Sequence, residues 1–260
     1  MKARRLVGVV LPPLVFGVLF LAVWEGAVVL FDWKPYFLPK PSSIADRFIT
    51  ARSQMWAATK VSGTNALIGM IAGTLLGVAM SFVLSRFKLL NEMVTPLAVA
   101  LNAIPIFVLV AVFNNMFAIT SEIPRRLMVT LVVYFIILVN VARGLTQVNP
   151  IHLELMRSYA ASDVTILRKL RIPNAVPYLF TGLKIAAPAS VITAFVAEYF
   201  GGSQNGLGSR IASNIANSKN AAAWAYVLSS SLLGLAFYLI SILLETVATP
   251  GGGRSTRDSR

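Results

Sequence analysis

Long stretches of this chain carry no charge at all. Residues 6–24, 61–85, 93–121 and 220–244 hold no Asp, Glu, Lys or Arg. Each reaches the ~18 to 20 apolar residues that a helix needs to cross the hydrocarbon of a bilayer. Two shorter runs are compatible with spans as well: 127–142, and the stretch from Ile172 to Glu198, broken by Lys184. A lysine near a helix end can reach the interface with its amine, so one such break is tolerable. The sequence therefore predicts an all-α, polytopic integral membrane protein with six transmembrane helices in a lipid bilayer. Composition agrees, at 57% hydrophobic and 13% charged, where soluble domains carry about a quarter charged residues.

A net charge of +13 suggests nucleic acid as a partner, but the distribution argues against it. With six spans, the larger share of the 23 Lys and Arg falls on the face that holds both termini. The positive-inside rule then places both termini on the cytoplasmic side of the membrane. Arg125 and Arg126 run against that trend on the outer face. Lys2, Arg4 and Arg5 precede the first apolar run, which is longer than a signal h-region and lacks a small-x-small cleavage site. A retained helix is expected. The chain has no cysteine and one histidine, His152. Disulfides and thiolate chemistry are excluded, and no metal site is expected.

The first helix is expected over about 6–31, with Pro12 and Pro13 near one end. The connection that follows reads as a short amphipathic helix capped by Ser42 or Ser43, with Ile44, Phe48 and Ile49 on one face. In the second span Gly69, Gly73 and Gly77 recur every fourth residue, continued by Ser81 and Ser85. Such a stripe lets helix backbones approach closely, within one subunit more readily than between two. The third span contains Asn102, Asn114 and Asn115, and Pro105 is expected to kink it. Asn140 lies in the fourth span, Ser190 and Thr193 in the fifth. These six polar groups are candidates for lining a path, with hydrogen bonding between helices as the competing role for each. Glu198 reads as an outer gate or as a partner of Arg210. The polar, glycine-rich residues 251–260 are expected to form a disordered tail behind a single domain over 1–250.

One polar stretch stands out, ELMRSYAASDVTILRKLRIP at 154–173. Upstream, Asn149 and Pro150 make a good helix start, so a first short helix is expected from Pro150 to about Tyr159. Ser162 would cap a second, with Asp163 in its first turn, and Pro173 would stop it near Arg171. Ile151, Leu155 and Tyr159 share one face; Ile166, Leu167 and Leu170 form another. Two capped helices with separate apolar faces suit docking in the groove of a soluble partner.

The same stretch resembles the cytoplasmic signature of the permease (transmembrane) subunits of bacterial ABC importers: Glu-Ala-Ala, three residues, Gly, nine residues, then Ile-x-Leu-Pro. Glu154 stands first, Leu155 and Met156 replace the alanines, Ala160 takes the glycine position, and Leu170-Arg171-Ile172-Pro173 closes the pattern. FLPKPSSI, AIPIF, VPYLFTGLKIA, VAEYFGG and GLG are similar to the branch importing nitrate, sulfonates, taurine and pyrimidine-type precursors. NNMF and ELMRSYAAS lean towards pyrimidine or flavin precursors. The resemblance implies a type I importer permease domain with its core at about 61–249 and coupling helices at 150–171. It implies a second permease copy, most simply a homodimer, two ABC ATPase subunits and an extracytoplasmic substrate-binding protein. ATPase docking would fall to Glu154, Arg157, Tyr159, Ala160, Ala161, Ser162, Asp163, Arg168, Lys169 and Pro173. The chain has no G-x-x-x-x-G-K-[ST] loop, so ATP would be hydrolysed by the partner subunit, with no cofactor bound here.

Two other classes compete. An ion-coupled secondary transporter would need acidic or broken-helix ion sites near the midplane, and none of the ten acidic residues falls in the middle of a predicted span. A membrane-embedded non-ABC protein with enzymatic activity would need clustered His, Asp or Glu, which the sequence lacks.

Overall fold

The computed structural model describes residues 2–87 and 104–249, with side chains placed for 11–87, 104–106 and 108–249. Among them, five helices are long and apolar enough to cross a membrane. They are α1 (Lys2–Leu30), α3 (Arg52–Arg86), α5 (Ile123–Thr146), a continuous helix over Asp163–Tyr199, and α10 (Asn220–Ala248). The continuous helix comprises α7 (Asp163–Ile166), a π-helical turn (Leu167–Arg171) and α8 (Ile172–Tyr199). Shorter elements are α2 (Pro41–Thr50), α4 (Ile106–Met116), α6 (Pro150–Ser158) and α9 (Leu207–Ala216).

The sixth predicted span, 93–121, lies partly outside the described residues, as do Asn102 and the expected tail at 251–260. Its described part is α4. Pro105 immediately precedes that helix at φ −58° and ψ 124°. The expected kink is thus replaced by a helix start, a position where the missing N–H breaks no intrahelical bond. The cap expected at Ser42 or Ser43 is instead Lys40, with Pro41 opening α2. Ser42 is used elsewhere: its N–H and hydroxyl both donate to the Glu25 carboxylate, at 3.0 and 2.7 Å, and tie α2 to α1.

The glycine stripe of α3 packs on α5. A Cβ at Gly69 would lie 2.6 Å from Val129 Cγ1, one at Gly73 2.6 Å from the Thr130 carbonyl, and one at Gly77 2.9 Å from Ile137 Cβ. Any larger residue would separate the two backbones, which have no lipid-driven reason to approach otherwise. Ser81 extends the seam, donating to the carbonyls of Gly77 at 2.7 Å and Leu138 at 3.1 Å. On its other side α5 packs against α8, and the core of Ala66, Val133, Ile137, Leu145, Ala186 and Ala194 lies between the three helices. α10 closes the bundle against α8.

α2 and α9 cover one end, where Ile44, Met55, Leu207, Ile211 and Tyr226 form a second cluster. The hairpin of α6 and α7 projects from the other end. α1 stands largely apart: it joins the bundle through Glu25 and an edge contact of Trp24 on Trp224, 5.4 Å between ring centroids. From Leu11 to Val23 its residues are apolar and, Gly17 aside, exposed, as expected for a helix facing lipid.

Candidate functional site

At the hairpin end, local chemistry builds the turn. The Asn149 side chain accepts the Ile151 N–H at 3.0 Å and Pro150 occupies the first helical position of α6. After Tyr159, Ala160 adopts φ +52°. The Ala160 N–H donates to the Arg157 carbonyl at 2.9 Å and the Ala161 N–H to the Met156 carbonyl at 3.0 Å. That pair of bonds is a Schellman motif, which asks its C′ residue to be left-handed. Alanine there costs about 1 kcal/mol or more relative to a right-handed residue. The turn is therefore kept although the signature's glycine is absent. Ser162 then caps α7, accepting the Thr165 N–H at 3.3 Å and pairing with its hydroxyl at 2.9 Å.

The hairpin is anchored on one side and bare on the other. Ile166 is buried. The Asn174 amide donates to the carbonyls of Gly144 at 2.7 Å and Gln147 at 3.2 Å, clamping the end of α5 to the start of α8. Gly144 permits that approach, since a Cβ would lie 2.7 Å from the Ala175 Cα. Facing away, Ile151, Leu155 and Tyr159 are 70%, 53% and 79% exposed. Glu154, Arg157, Ser162, Asp163, Arg168, Lys169 and Pro173 are also exposed. The structure thus brings the predicted docking residues together in one protruding element.

Pro173 does not stop the second helix as the sequence suggested. The Ile172 N–H donates to the Leu167 carbonyl, an i to i−5 bond, and the chain runs on into α8. The wider π turn accommodates a ring that would collide with the carbonyl four residues earlier in a regular helix. One unbroken rod therefore links the hairpin to the opposite end of the bundle.

At that opposite end lies a buried polar cluster. Arg125 is fully buried. Its guanidinium donates to the Glu122 carboxylate, to Asn205 Oδ1 at 3.3 Å, and to the carbonyls of Gly201 and Ser203. Glu122 also accepts from Asn65 at 2.8 Å and Asn205 at 3.1 Å, while Arg126 Nε donates to Asn65 Oδ1 at 3.0 Å. Burial alone would raise the Glu122 pKa. The bonds from Asn205, Asn65 and Arg125, with the Arg125 charge, outweigh it and hold the carboxyl below its ordinary 4.5. Arg125 is thus buried and Arg126 half-buried at the start of α5, the pair that the sequence reading assigns to the outer face.

Glu198, in α8, accepts from Ser62 at 2.6 Å and from the Gly208 N–H at 3.1 Å. It does not pair with Arg210, which is exposed. A Cβ at Gly206 would sit within 2.6 Å of Glu198 Oε1, and one at Gly208 would strike the Phe195 carbonyl. These contacts account for the GLG sequence: only bare backbone lets α9 settle over the carboxylate.

Among the described residues, the path candidates are not brought together. Asn114 is half-buried beside Gly201, its Nδ2 without a hydrogen-bond partner. Asn115 donates to the Ala111 carbonyl at 3.1 Å and Asn140 to that of Ile136 at 2.8 Å, each within its own helix. Ser190 and Thr193 are buried in the bundle, Ser190 donating to the Ala187 carbonyl at 2.7 Å. Sequence reading missed Gly144, Asn174, Ser62, Asn65, Glu122 and Asn205. For Asn174 a signal existed, an amide directly after Pro173 at a helix start.

Comparison with known proteins places these features in context. The profile of the family described as "Binding-protein-dependent transport system inner membrane component" matches residues 67–249. The chain is 29% identical over 92% of its length to the formylaminopyrimidine transport permease protein ThiX of Halalkalibacterium halodurans, covering 95% of that protein. It is 28% identical over 76% of its length to a probable ABC transporter permease protein of Haemophilus influenzae, covering 79% of it. With the riboflavin transport system permease protein RibX of Chloroflexus aurantiacus it shares 26% identity, over 87% of this chain and 85% of the other.

Proposed function

The chain belongs to the family of binding-protein-dependent transport system inner membrane components, and on that premise we propose that it is the permease subunit of an ATP-driven importer whose α6–α7 hairpin is gripped by an ABC ATPase. The observation that carries the docking role is the hairpin's build: anchored through Ile166 and Asn174, apolar and bare along Ile151, Leu155 and Tyr159. A helical pair of this kind laid in a groove is a familiar recognition mode. Arg168 and Lys169, exposed beside it, orient the contact electrostatically. Glu154, Ala160, Ala161, Ser162 and Asp163 complete the element, and Pro173 joins it to the spanning rod.

In this reading two copies of the chain form the translocation path and two ATPase subunits bind below. Both termini and the hairpin face the cytoplasm, and the chain itself binds no nucleotide. A substrate-binding protein delivers cargo to the end that carries α2 and α9. Asn102, Asn114, Asn115, Asn140, Ser190 and Thr193 remain candidates for contact with the solute. The cargo is a small solute of the pyrimidine or flavin-precursor class. Support comes from two relatives, named for formylaminopyrimidine and riboflavin transport, that match along most of their length.

Reversing Arg168 and Lys169 to glutamate tests the docking role. Co-purification of the ATPase should be lost while membrane insertion and thermal stability stay unchanged. Retained co-purification and transport would refute the docking role.

A further inference from the structure

A recess of about 460 Å³ opens between the end of α3 and the inner side of the hairpin. Three arginines from three elements border it: Arg86 at the last turn of α3, Arg157 in α6 and Arg171 in the π turn. The single acid among its lining residues is Asp163, whose carboxylate lies 3.5 Å from the Arg86 guanidinium; both side chains are largely exposed. Arg171 Nε is buried without a hydrogen-bond partner. Phe82, Leu153, Ile166 and Leu167 supply apolar wall. Three cations against one anion leave the recess short of negative charge, and an unmet buried N–H adds a donor with nothing to accept it.

From this geometry we infer that the recess binds the phosphate of an anionic phospholipid. Guanidinium groups match phosphate oxygens with paired N–H donors. Basic recesses between spanning helices at the cytoplasmic boundary suit such headgroups. The apolar wall decides between lipid and soluble phosphate. Phe82 belongs to a spanning helix and Leu167 to the rod that continues into one, so an acyl chain entering beside the headgroup stays in contact with apolar surface. A free phosphate would leave that wall wet.

The recess shares Arg157 and Asp163 with the docking hairpin but not its apolar edge of Ile151, Leu155 and Tyr159. Leu153 and Arg157 lie four apart on one face of α6, whereas Ile151 and Leu155 are offset from Leu153 by two residues, about 200° around the helix. A lipid seated here would brace the hairpin against α3 while the opposite edge stays free. Assignment to the cytoplasmic leaflet rests on the orientation proposed above.

The test uses the full chain in neutral detergent, with melting temperature followed during titration with phosphatidylglycerol, phosphatidylcholine or inorganic phosphate at fixed ionic strength. Phosphatidylglycerol should stabilise saturably and phosphatidylcholine should not. Arg86→Gln, at an exposed site, should raise the half-saturating concentration about fivefold to tenfold. Asp163→Asn, which removes the carboxylate competing for Arg86, should lower it severalfold. Arg210→Gln, exposed at the opposite end, should leave it unchanged. These opposite shifts distinguish a ligand site from a structural ion pair, which both variants would weaken alike. Identical phosphatidylglycerol titrations in wild type and Arg86→Gln would overturn the inference. Equal protection by inorganic phosphate, lost in Arg86→Gln, would overturn it in favour of a soluble anion. Loss of ATPase capture by Arg86→Gln with lipid binding intact would overturn it in favour of an ATPase contact. Failure of the wild-type chain to capture an ATPase, with the lipid response as expected, would count against the importer reading and leave the lipid site standing.

Discussion

The two ends of the bundle are built on opposite principles. At the α2–α9 end, charged and amide side chains are buried and bonded to one another across α3, α5, α8 and the loop after α8. At the hairpin end, apolar side chains are exposed and so are the charges, Arg171 aside. Most of those buried donors and acceptors are met, Arg125 Nε and Glu198 Oε1 excepted, and a network bonded at so many points holds the first arrangement close to one geometry. Exposed apolar groups lose nothing internally when a partner covers them, so the second arrangement is free to engage and release. Under the proposed docking role one end is a fixed frame and the other a handle, with the rod from Asp163 to Tyr199 joining them.

Arg125→Ala should break this contrast most severely. It leaves Glu122 partly buried beside an empty space, and removing one partner of a buried pair costs about 3–5 kcal/mol. Melting temperature or denaturant unfolding in detergent should show that loss. Leu155→Glu is the matched substitution at the other end. Surface changes away from special features stay within about 0.5 kcal/mol, so its stability should be unchanged while ATPase co-purification and transport disappear. Equal destabilisation by the two variants would erase the distinction between frame and handle.

Much of the handle was legible in sequence because its signals are local. Asn149, Pro150 and Ser162 act within three residues of themselves; outside the handle, the four-residue period of Gly69, Gly73 and Gly77 likewise reports its own helix face. The frame was not legible. Arg125 meets Asn205 80 residues away, and Glu198 meets Ser62 across 136; no spacing rule connects them. Arg210 is near Glu198 in sequence and Ser62 is not, so of the two sequence readings, outer gate or Arg210 partner, the second names the wrong partner. Pro173 misled for another reason: the rule for regular helices holds, and the π turn evades it by changing the helix. The path residues stay scattered because an amide at membrane depth looks the same in sequence whether it bonds its own helix, as Asn140 does, or a solute.

Acidification sharpens the comparison by a gentler route. The Glu122 carboxyl is held below its ordinary 4.5, so the folded frame binds that proton less readily than the unfolded chain does. Its stabilising contribution is complete above the unfolded value and is lost as pH falls through the lowered folded one. Melting temperature should therefore decline below about pH 4.5 and continue to fall as the folded carboxyl titrates. Glu122→Gln should start lower and show a shallower decline over that window. A decline of equal steepness in the variant would assign the acid sensitivity to other groups.

The smallest effect separates the hairpin's shape from its grip. Ala160 holds φ +52°, a conformation costing an ordinary residue about 1–2 kcal/mol and glycine almost nothing. Glycine also loses more freedom on folding, by about 0.5–1 kcal/mol. The two effects oppose each other, so Ala160→Gly should stabilise the chain by no more than about 1.5 kcal/mol. Because the Schellman bonds to Arg157 and Met156 are backbone bonds, the turn geometry should be unchanged, and with it ATPase capture. A melting temperature that drops in Ala160→Gly would mean that the turn does not strain its alanine. An unchanged or slightly raised one, with transport preserved, fits a handle shaped by its backbone and recognised by its exposed apolar edge.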